Sequence, residues 1–176
     1  GSPIGRAQGT GIFLVNKAKQ IEDWLKKRGT DVAENKLSDD YVCQRYVDNP
    51  YLVDDRKFDM RIYVLCLSYQ PLKVYLYREG FARFANTPYS TAKSDLKNQY
   101  IHLTNHAIQK RDVDYDPEVD DLKMPIRDLY AHILSKHGQE AADKCFAGIH
   151  SVIINALRSV QQVMINDRHC YELYGY

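Results

Sequence analysis

Hydrophobic and polar residues alternate most regularly between residues 57 and 68, and this period of two predicts a β-strand. A turn that contains a proline follows at 69–72, and a second alternating stretch at 73–78 predicts the return strand of a hairpin. The Glu-Gly pair at 79–80 predicts another turn, after which residues 81–84 alternate again. The pattern therefore predicts an antiparallel sheet in the middle of the chain.

Helical spacing of hydrophobic residues marks the second half of the chain. Strands that come first and helices that come later predict an α+β fold, an antiparallel sheet with flanking helices. Gly29 is expected to stop the first helix. The predicted helices cover residues 16–27, 126–138 and 139–165, and the remaining predicted strands cover 12–15, 41–47 and 170–176.

The polar face of the strand at 57–68 carries the most informative residues. Lys57, Asp59 and Arg61 fall on this face together, about 7 Å from one to the next. Two cations around a carboxylate are typical of a strand that holds an anionic ligand, but a solvated sheet face has the same pattern. The pattern alone supports both interpretations equally.

Composition limits the function classes. The chain has 176 residues, enough for one domain, and 24 Lys and Arg against 23 Asp and Glu give a net charge of +1. This balance argues against a general nucleic-acid binder, and no hydrophobic run reaches the roughly 18 residues that span a bilayer. The four cysteines form no CxxC pair, which favours reduced thiols in an intracellular protein.

Two local patterns are weak when taken alone. Gly9 and Gly11 allow close approach of the backbone to phosphate oxygens, but they lack the Walker spacing, so a plain turn is equally consistent. His102 and His106 lie four residues apart with no evident third ligand, so no zinc site is predicted.

Arg83 lies between two hydrophobic residues, Ala82 and Phe84. A guanidinium in such a place needs a partner, because an unpaired buried charge is costly. Glu79 and an anionic ligand are both candidates for this partner. Asn105, which follows Thr104, is equally consistent with an amide that caps a turn.

The order of these segments resembles the tubulin–tyrosine-ligase-like family, whose catalytic core is an ATP-grasp fold. Within the family the chain is most similar to the ciliary polyglutamylase branch. The resemblance covers essentially the whole chain, and the segments that carry it are Gln8–Leu14, Gln44–Leu52, Arg56–Leu65, Leu76–Phe84, His102–Asn105 and Glu172–Tyr176.

The resemblance implies ATP- and Mg²⁺-dependent amide formation on tubulin tails. An acceptor carboxylate on the acidic C-terminal tail is phosphorylated, and the amino group of free glutamate then displaces phosphate. The implied partners are microtubules, free glutamate and accessory subunits, without nucleic acid or membrane. The implied location is the cytoplasm and cytoskeleton, in the cilium or flagellum, at the axoneme or basal body.

The resemblance also implies roles for individual residues. Backbone groups of Arg45 and Val47 would read the edge of adenine, and Lys57 would bind ATP phosphates. The implied cofactor-binding residues are Gln8, Gly9, Gly11, Gln44, Arg45, Tyr46, Val47, Lys57, Thr104 and Asn105.

The implied catalytic residues are Asp59, Arg61 and Arg83. Asp59 would orient neighbouring cations or the substrate amine, and Arg61 would bind the carboxylate of the amino acid or the acyl phosphate. Arg83 would stabilise the phosphoryl group in transfer, with Thr104 and Asn105 on its oxygens or on the metal.

By the same resemblance, residues 1–176 are expected to be the central part of the catalytic domain, truncated at both ends. The N-terminal lobe and the final metal-binding strands would lie outside the chain, with the metal ligands beyond Tyr176, and the chain would be inactive by itself. Three alternatives stay open: a glycine ligase, a tyrosine ligase and a non-catalytic tubulin-binding relative.

Overall fold

The computed structural model of this chain describes residues 2–3, 11–33, 41–113, 122–164 and 171–176. The chain divides into two compact units, of which the first comprises residues 1–58 and 84–122 and the second comprises 59–83 and 123–176. The prediction of an α+β fold with an antiparallel sheet and helices is confirmed.

The first unit begins with strand β1 (Ser2–Pro3), helix α1 (Ala18–Ala33) and strand β2 (Tyr41–Val42), and the two strands pair antiparallel. The helix runs past Gly29, so the predicted stop is wrong, because one glycine inside a helix costs only about 1 kcal/mol. The predicted strand at 41–47 is reduced to two residues, since strand β1 offers only two partners. Residues 12–15 form no strand.

Aromatic packing joins α1 to the chain on either side of it. The ring of Trp24 lies 5.3 Å from the ring of Phe13 and 4.7 Å from that of Tyr41, measured between centroids. Such pairs contribute roughly 0.5–1.5 kcal/mol beyond the area that they bury. They hold the segment after the glycine loop against the start of the 41–47 segment.

Strands β3 (Phe58–Tyr69) and β4 (Leu72–Phe84) form the predicted hairpin, joined by a two-residue turn. The turn predicted at 79–80 is wrong, because β4 continues through it as one strand of 13 residues. Gly80 lies inside β4, where a side chain would clash with the backbone carbonyl of Arg61. The glycine therefore marks a close approach of two backbones and not a turn.

Short helical segments complete the first unit. A 3₁₀ turn (Asp95–Lys97) leads into helices α2 (Gln99–His102) and α3 (His106–Gln109), each of four residues. The side chain of Asn98 caps α2 by accepting a hydrogen bond from the backbone of Tyr100 at 3.0 Å.

The second unit continues with strand β5 (Lys123–Pro125), helices α4 (Ile126–His137) and α5 (Gln139–Val160), and strand β6 (Glu172–Gly175). Both late helices and the last strand confirm the sequence prediction, although α5 ends at Val160 and not at 165. The four-stranded sheet has the order β5-β4-β3-β6. Both β4–β5 and β3–β6 are antiparallel pairs.

The core of the second unit lies between α5 and the hydrophobic face of β3. Its buried members from β3 are Ile62, Val64 and Cys66, and those from α5 are Ile153 and Leu157. The period of two in β3 and the helical period in α5 thus bring two hydrophobic faces together. Consequently the opposite face of β3 is the one that carries Asp59 and Arg61.

No helix among the described residues is long and apolar enough to cross a membrane. Cys43, Cys66 and Cys145 are free thiols, of which Cys66 is buried in the core of the second unit.

Candidate functional site

Lys57 of the first unit lies directly before β3, and its amine is held by two oxygen atoms. The Lys57 Nζ donates to the backbone carbonyl of His102 at 2.8 Å and to the hydroxyl of Tyr46 at 3.2 Å. The same amine lies 4.7 Å from the centroid of the Tyr46 ring. Lys57 therefore has a defined position, unlike a lysine on a solvated sheet face.

His102 connects this cluster to the 3₁₀ turn. Its Nδ1 lies 3.0 Å from the Tyr46 hydroxyl, and its Nε2 lies 3.1 Å from the backbone carbonyl of Asp95. Burial, reinforced by the charge of Lys57, lowers the pKa of His102, while the Asp95 carbonyl acts in the opposite direction. Burial, followed by a hydrogen bond with Tyr89, raises the pKa of the Tyr46 hydroxyl.

The segment from Leu103 to Asn105 lies between α2 and α3. Thr104 is buried, and the backbone carbonyl of Asn105 accepts hydrogen bonds from Ile108 and Gln109 at 2.8 and 3.1 Å. The Asn105 side chain makes no capping hydrogen bond, so the backbone and not the amide closes this turn.

Gln109 is a fully buried polar residue that anchors this segment. Its amide nitrogen donates to the carbonyls of Tyr100 and Leu103, and its amide oxygen accepts from the backbone of Asn86 at 2.7 Å. Nothing in the sequence pattern distinguishes this glutamine from an exposed one, so sequence reasoning missed it.

The segment after the glycine loop shares a cleft with the segment around His102. The cleft has a volume of about 120 Å³ and is lined by Ile12, Phe13, Leu14, Leu96, Lys97, Asn98, Gln99, His102 and Leu103. Two of the segments that carry the family resemblance therefore meet in the first unit.

The remaining predicted nucleotide-binding residues belong to the glycine loop and to the 44–47 segment. Gly11 adopts a φ of 77°, a conformation that suits glycine, whereas Gln8 and Gly9 lie outside the described residues. Gln44, Arg45 and Val47 are exposed in a segment without regular secondary structure, and Tyr46 is half-buried.

In the second unit, Asp59 and Arg83 form an ion pair with two hydrogen bonds. The Arg83 Nε donates to Asp59 Oδ1 at 3.0 Å, and Arg83 Nη2 donates to Asp59 Oδ2. The side chain of Arg83 is only 18% exposed, so this carboxylate supplies the partner that the sequence required. The alternative partner, Glu79, is wrong.

Arg61 is held between two glycines. Its Nη1 donates to the backbone carbonyl of Gly175 at 2.9 Å, and a Cβ built on Gly175 would lie only 2.7 Å from that nitrogen. On the neighbouring strand, Gly80 lies against the Arg61 backbone. Backbone hydrogen bonds of 2.7 and 2.8 Å between Ile62 and Tyr176 fix the end of β6 beside them.

No group of three or more His, Cys, Asp or Glu side chains is placed to hold a metal ion within the part of the chain that the structure describes. Asp59 is engaged by Arg83, and the ring nitrogens of His102 by Tyr46 and Asp95. Within the described residues, no cluster made of these side chains alone is therefore available for a metal ion.

Residues 2–176 match the model of the tubulin-tyrosine ligase family. The chain belongs to this family. It is 42% identical to "Probable tubulin polyglutamylase TTLL9" of Bos taurus over 201 residues, which cover 99% of this chain and 43% of that protein. It is 46% identical to "Probable alpha-tubulin polyglutamylase Ttll1" of Tetrahymena thermophila over 179 residues, with 99% and 42% covered.

A third relative, "Probable tubulin polyglutamylase ttll-9" of Caenorhabditis elegans, is 47% identical over 176 residues, with 99% of this chain and 40% of that protein covered. The chain thus spans about two fifths of the length of these relatives. The family predicted from the order of the segments is confirmed.

Proposed function

We propose that the full-length protein is an ATP-dependent amide ligase that adds glutamate to glutamate side chains of tubulin tails, and that this chain forms part of its ATP-grasp catalytic domain. The observation that carries the proposal is the family match over residues 2–176, together with 42–47% identity to proteins named as tubulin polyglutamylases. An action at the cytoskeleton, in cilia or flagella and with accessory subunits is part of the same proposal.

The proposed reaction joins a side-chain carboxylate of tubulin to the amino group of free glutamate. The carboxylate oxygen takes the terminal phosphoryl group of ATP, which gives an acyl phosphate and ADP. The glutamate amine then attacks the acyl carbon, the bond to phosphate breaks, and the amine loses a proton. Negative charge gathers on the transferring phosphoryl group, so fixed cations are the catalytic groups that this chemistry needs.

Three cations have defined positions that suit these steps. Lys57 is proposed to bind the ATP phosphates, since two oxygens already hold its amine. Arg83 is proposed to stabilise the phosphoryl group, with Asp59 fixing the plane of its guanidinium. Arg61 is proposed to bind the carboxylate of the incoming amino acid, and its hydrogen bond to Gly175 directs the guanidinium.

Other residues are assigned to the nucleotide by the resemblance alone. Thr104 and Asn105 are proposed to contact phosphoryl oxygens, and the 44–47 segment and the glycine loop are proposed to hold the rest of ATP. Mg²⁺ would neutralise phosphate charge when bound with ATP.

The test supplies the full-length gene product with microtubules, Mg-ATP and labelled glutamate, glycine or tyrosine in separate reactions. Lys57→Ala and Arg83→Ala run beside the wild type. Arg127→Ala serves as the matched control, because this arginine is 86% exposed and pairs with Asp128 on the surface of α4.

ATP-dependent incorporation of glutamate, lost in the first two variants and kept in the control, would establish the ligase activity and the need for both Lys57 and Arg83. Selective use of glycine or tyrosine would keep the mechanism and overturn the proposed substrate. Binding to tubulin without incorporation of any amino acid and without binding of ATP would favour the non-catalytic relative.

A further inference from the structure

His102 contacts Lys57 in two ways, although the sequence singled out this histidine only as an unlikely metal ligand. Its backbone carbonyl accepts from the Lys57 amine at 2.8 Å. Its ring reaches the same amine through Tyr46, whose hydroxyl lies 3.0 Å from His102 Nδ1 and 3.2 Å from Lys57 Nζ.

The two ends of this hydrogen-bonded chain define their own donors and acceptors, and the Tyr46 hydroxyl between them also has Tyr89 as a hydrogen-bond neighbour. The carbonyl of Asp95, 3.1 Å from His102 Nε2, can only accept, so Nε2 carries the proton. His102 Nδ1 is then bare and accepts from the Tyr46 hydroxyl. The lone pairs of that hydroxyl remain for Lys57, whose ammonium can only donate.

Burial makes this arrangement stable. His102 is only 3% exposed, so the hydrogen bonds of its ring are made to protein groups and their loss would leave buried polar atoms unpaired. Burial and the nearby Lys57 charge lower the pKa of His102, which keeps the ring in the neutral form that accepts from Tyr46. The neutral ring is therefore consistent with a hydrogen-bonded chain that runs from Asp95 through His102 and Tyr46 to Lys57.

We propose that Tyr46 and His102 are positioning residues that place the Lys57 amine for the phosphates of ATP. The inference rests on the proposed function, in which Lys57 binds these phosphates. A lysine side chain has many rotamers, and fixing its amine before the ligand arrives reduces the entropy that binding costs. The Tyr46 hydroxyl acts on ATP only through Lys57. This role is separate from the one proposed for the backbone of the 44–47 segment, which contacts ATP itself.

The experiment measures the affinity of the full-length protein for Mg-ATP by calorimetry, without tubulin. Tyr46→Phe removes one hydroxyl and leaves the backbone and ring, and His102→Gln is the second variant. The matched control is Tyr100→Phe, whose hydroxyl donates only to the exposed carbonyl of Arg111 at 3.0 Å. The loss of one such hydrogen bond predicts affinity about three- to tenfold weaker in the first two variants, and unchanged affinity in the control.

A double variant separates positioning from a general structural effect. If Tyr46 acts through Lys57, Tyr46→Phe has no further effect on affinity once Lys57→Ala is present. Additive losses would overturn the inference. A loss in Lys57→Ala alone, with wild-type affinity in Tyr46→Phe and His102→Gln, would overturn it while the proposed function stands. Unchanged affinity in Lys57→Ala would instead overturn the assigned role of Lys57 itself.

Discussion

Two glycines of the second unit offer a matched pair of substitutions with opposite expected effects on stability. Gly80 lies inside β4, and a Cβ there would clash with the backbone carbonyl of Arg61 and lie 3.1 Å from Ile126 Cγ1. Gly148 lies on the exposed side of α5, and a Cβ there would meet no atom within 4 Å. Gly80→Ala therefore adds a methyl group where there is no space for it, whereas Gly148→Ala adds the same group where the space is free.

The magnitudes follow from what each methyl group meets. At Gly80 the carbonyl belongs to a paired strand and cannot turn away, so the strands must separate, at a cost of about 1–3 kcal/mol for an overpacked site. At Gly148 alanine improves the helix by about 0.8–1 kcal/mol, since glycine has the greater backbone entropy to lose. The two variants should therefore differ by about 2–4 kcal/mol in the free energy of unfolding.

The assay is urea unfolding of both variants and the wild type, followed by the fluorescence of the protein at equilibrium. We expect the unfolding midpoint to fall for Gly80→Ala and to rise for Gly148→Ala, with similar slopes. Equal midpoints for the two variants would refute the reasoning, because they would show that β4 accepts a side chain at the place where Arg61 is closest.

Three further predictions concern the site and the core. In Gly175→Ala the new Cβ would lie 2.7 Å from Arg61 Nη1, so the guanidinium should move by about 0.7 Å to an ordinary contact of 3.4 Å. For the proposed reaction, this should raise the KM for glutamate several-fold while the KM for ATP stays constant in steady-state kinetics. Because burial lowers the pKa of His102 below 6.5, the unfolded chain binds its proton first, so stability should fall as the pH drops below 6.5. Urea unfolding on both sides of pH 6.5 checks this, and His102→Gln should reduce the dependence. Leu157→Ala, at a residue only 1% exposed, should cost about 2–5 kcal/mol in the same assay.

The elements that the sequence predicts well are those whose period is long and uninterrupted. Strand β3 shows its period of two over 12 residues, and α5 shows a helical period over 22 residues. Each buries a continuous hydrophobic face, so local pattern and tertiary packing agree. The order of family segments supplied the rest of the fold prediction.

The errors arise where local preference and tertiary contact disagree. A glycine is typical of the end of a helix or strand, yet Gly29 lies inside α1 and Gly80 lies inside β4. The 41–47 segment has the composition of a strand, but only Tyr41 and Val42 find a paired neighbour. A strand requires a partner as well as a pattern, and the sequence does not show where the partner ends.

In the candidate site, too, the sequence shows the type of each side chain but not which residues it contacts. The alternation of Lys57, Asp59 and Arg61 is visible in the sequence, because residues two apart on a strand share a face. That Arg83 takes Asp59 as its partner, across 24 residues of chain, is not visible, and the sequence suggested Glu79 or an anionic ligand instead. The hydrogen bonds of Lys57 reach further still, since 45 residues separate it from His102.

Contacting residues can thus lie far apart in sequence. For this reason, a residue that positions a binding group is harder to predict than the binding group itself. The cations are selected by charge, which a sequence displays directly. The role proposed for Tyr46 depends on the position of one hydroxyl, which lies 3.0 Å from His102 Nδ1 and 3.2 Å from the Lys57 amine. A phenylalanine at 46 would fit the same hydrophobic pattern, so only the fold distinguishes the two. Substitutions that change a single polar atom, such as Tyr46→Phe, are therefore the sharpest probes of this site.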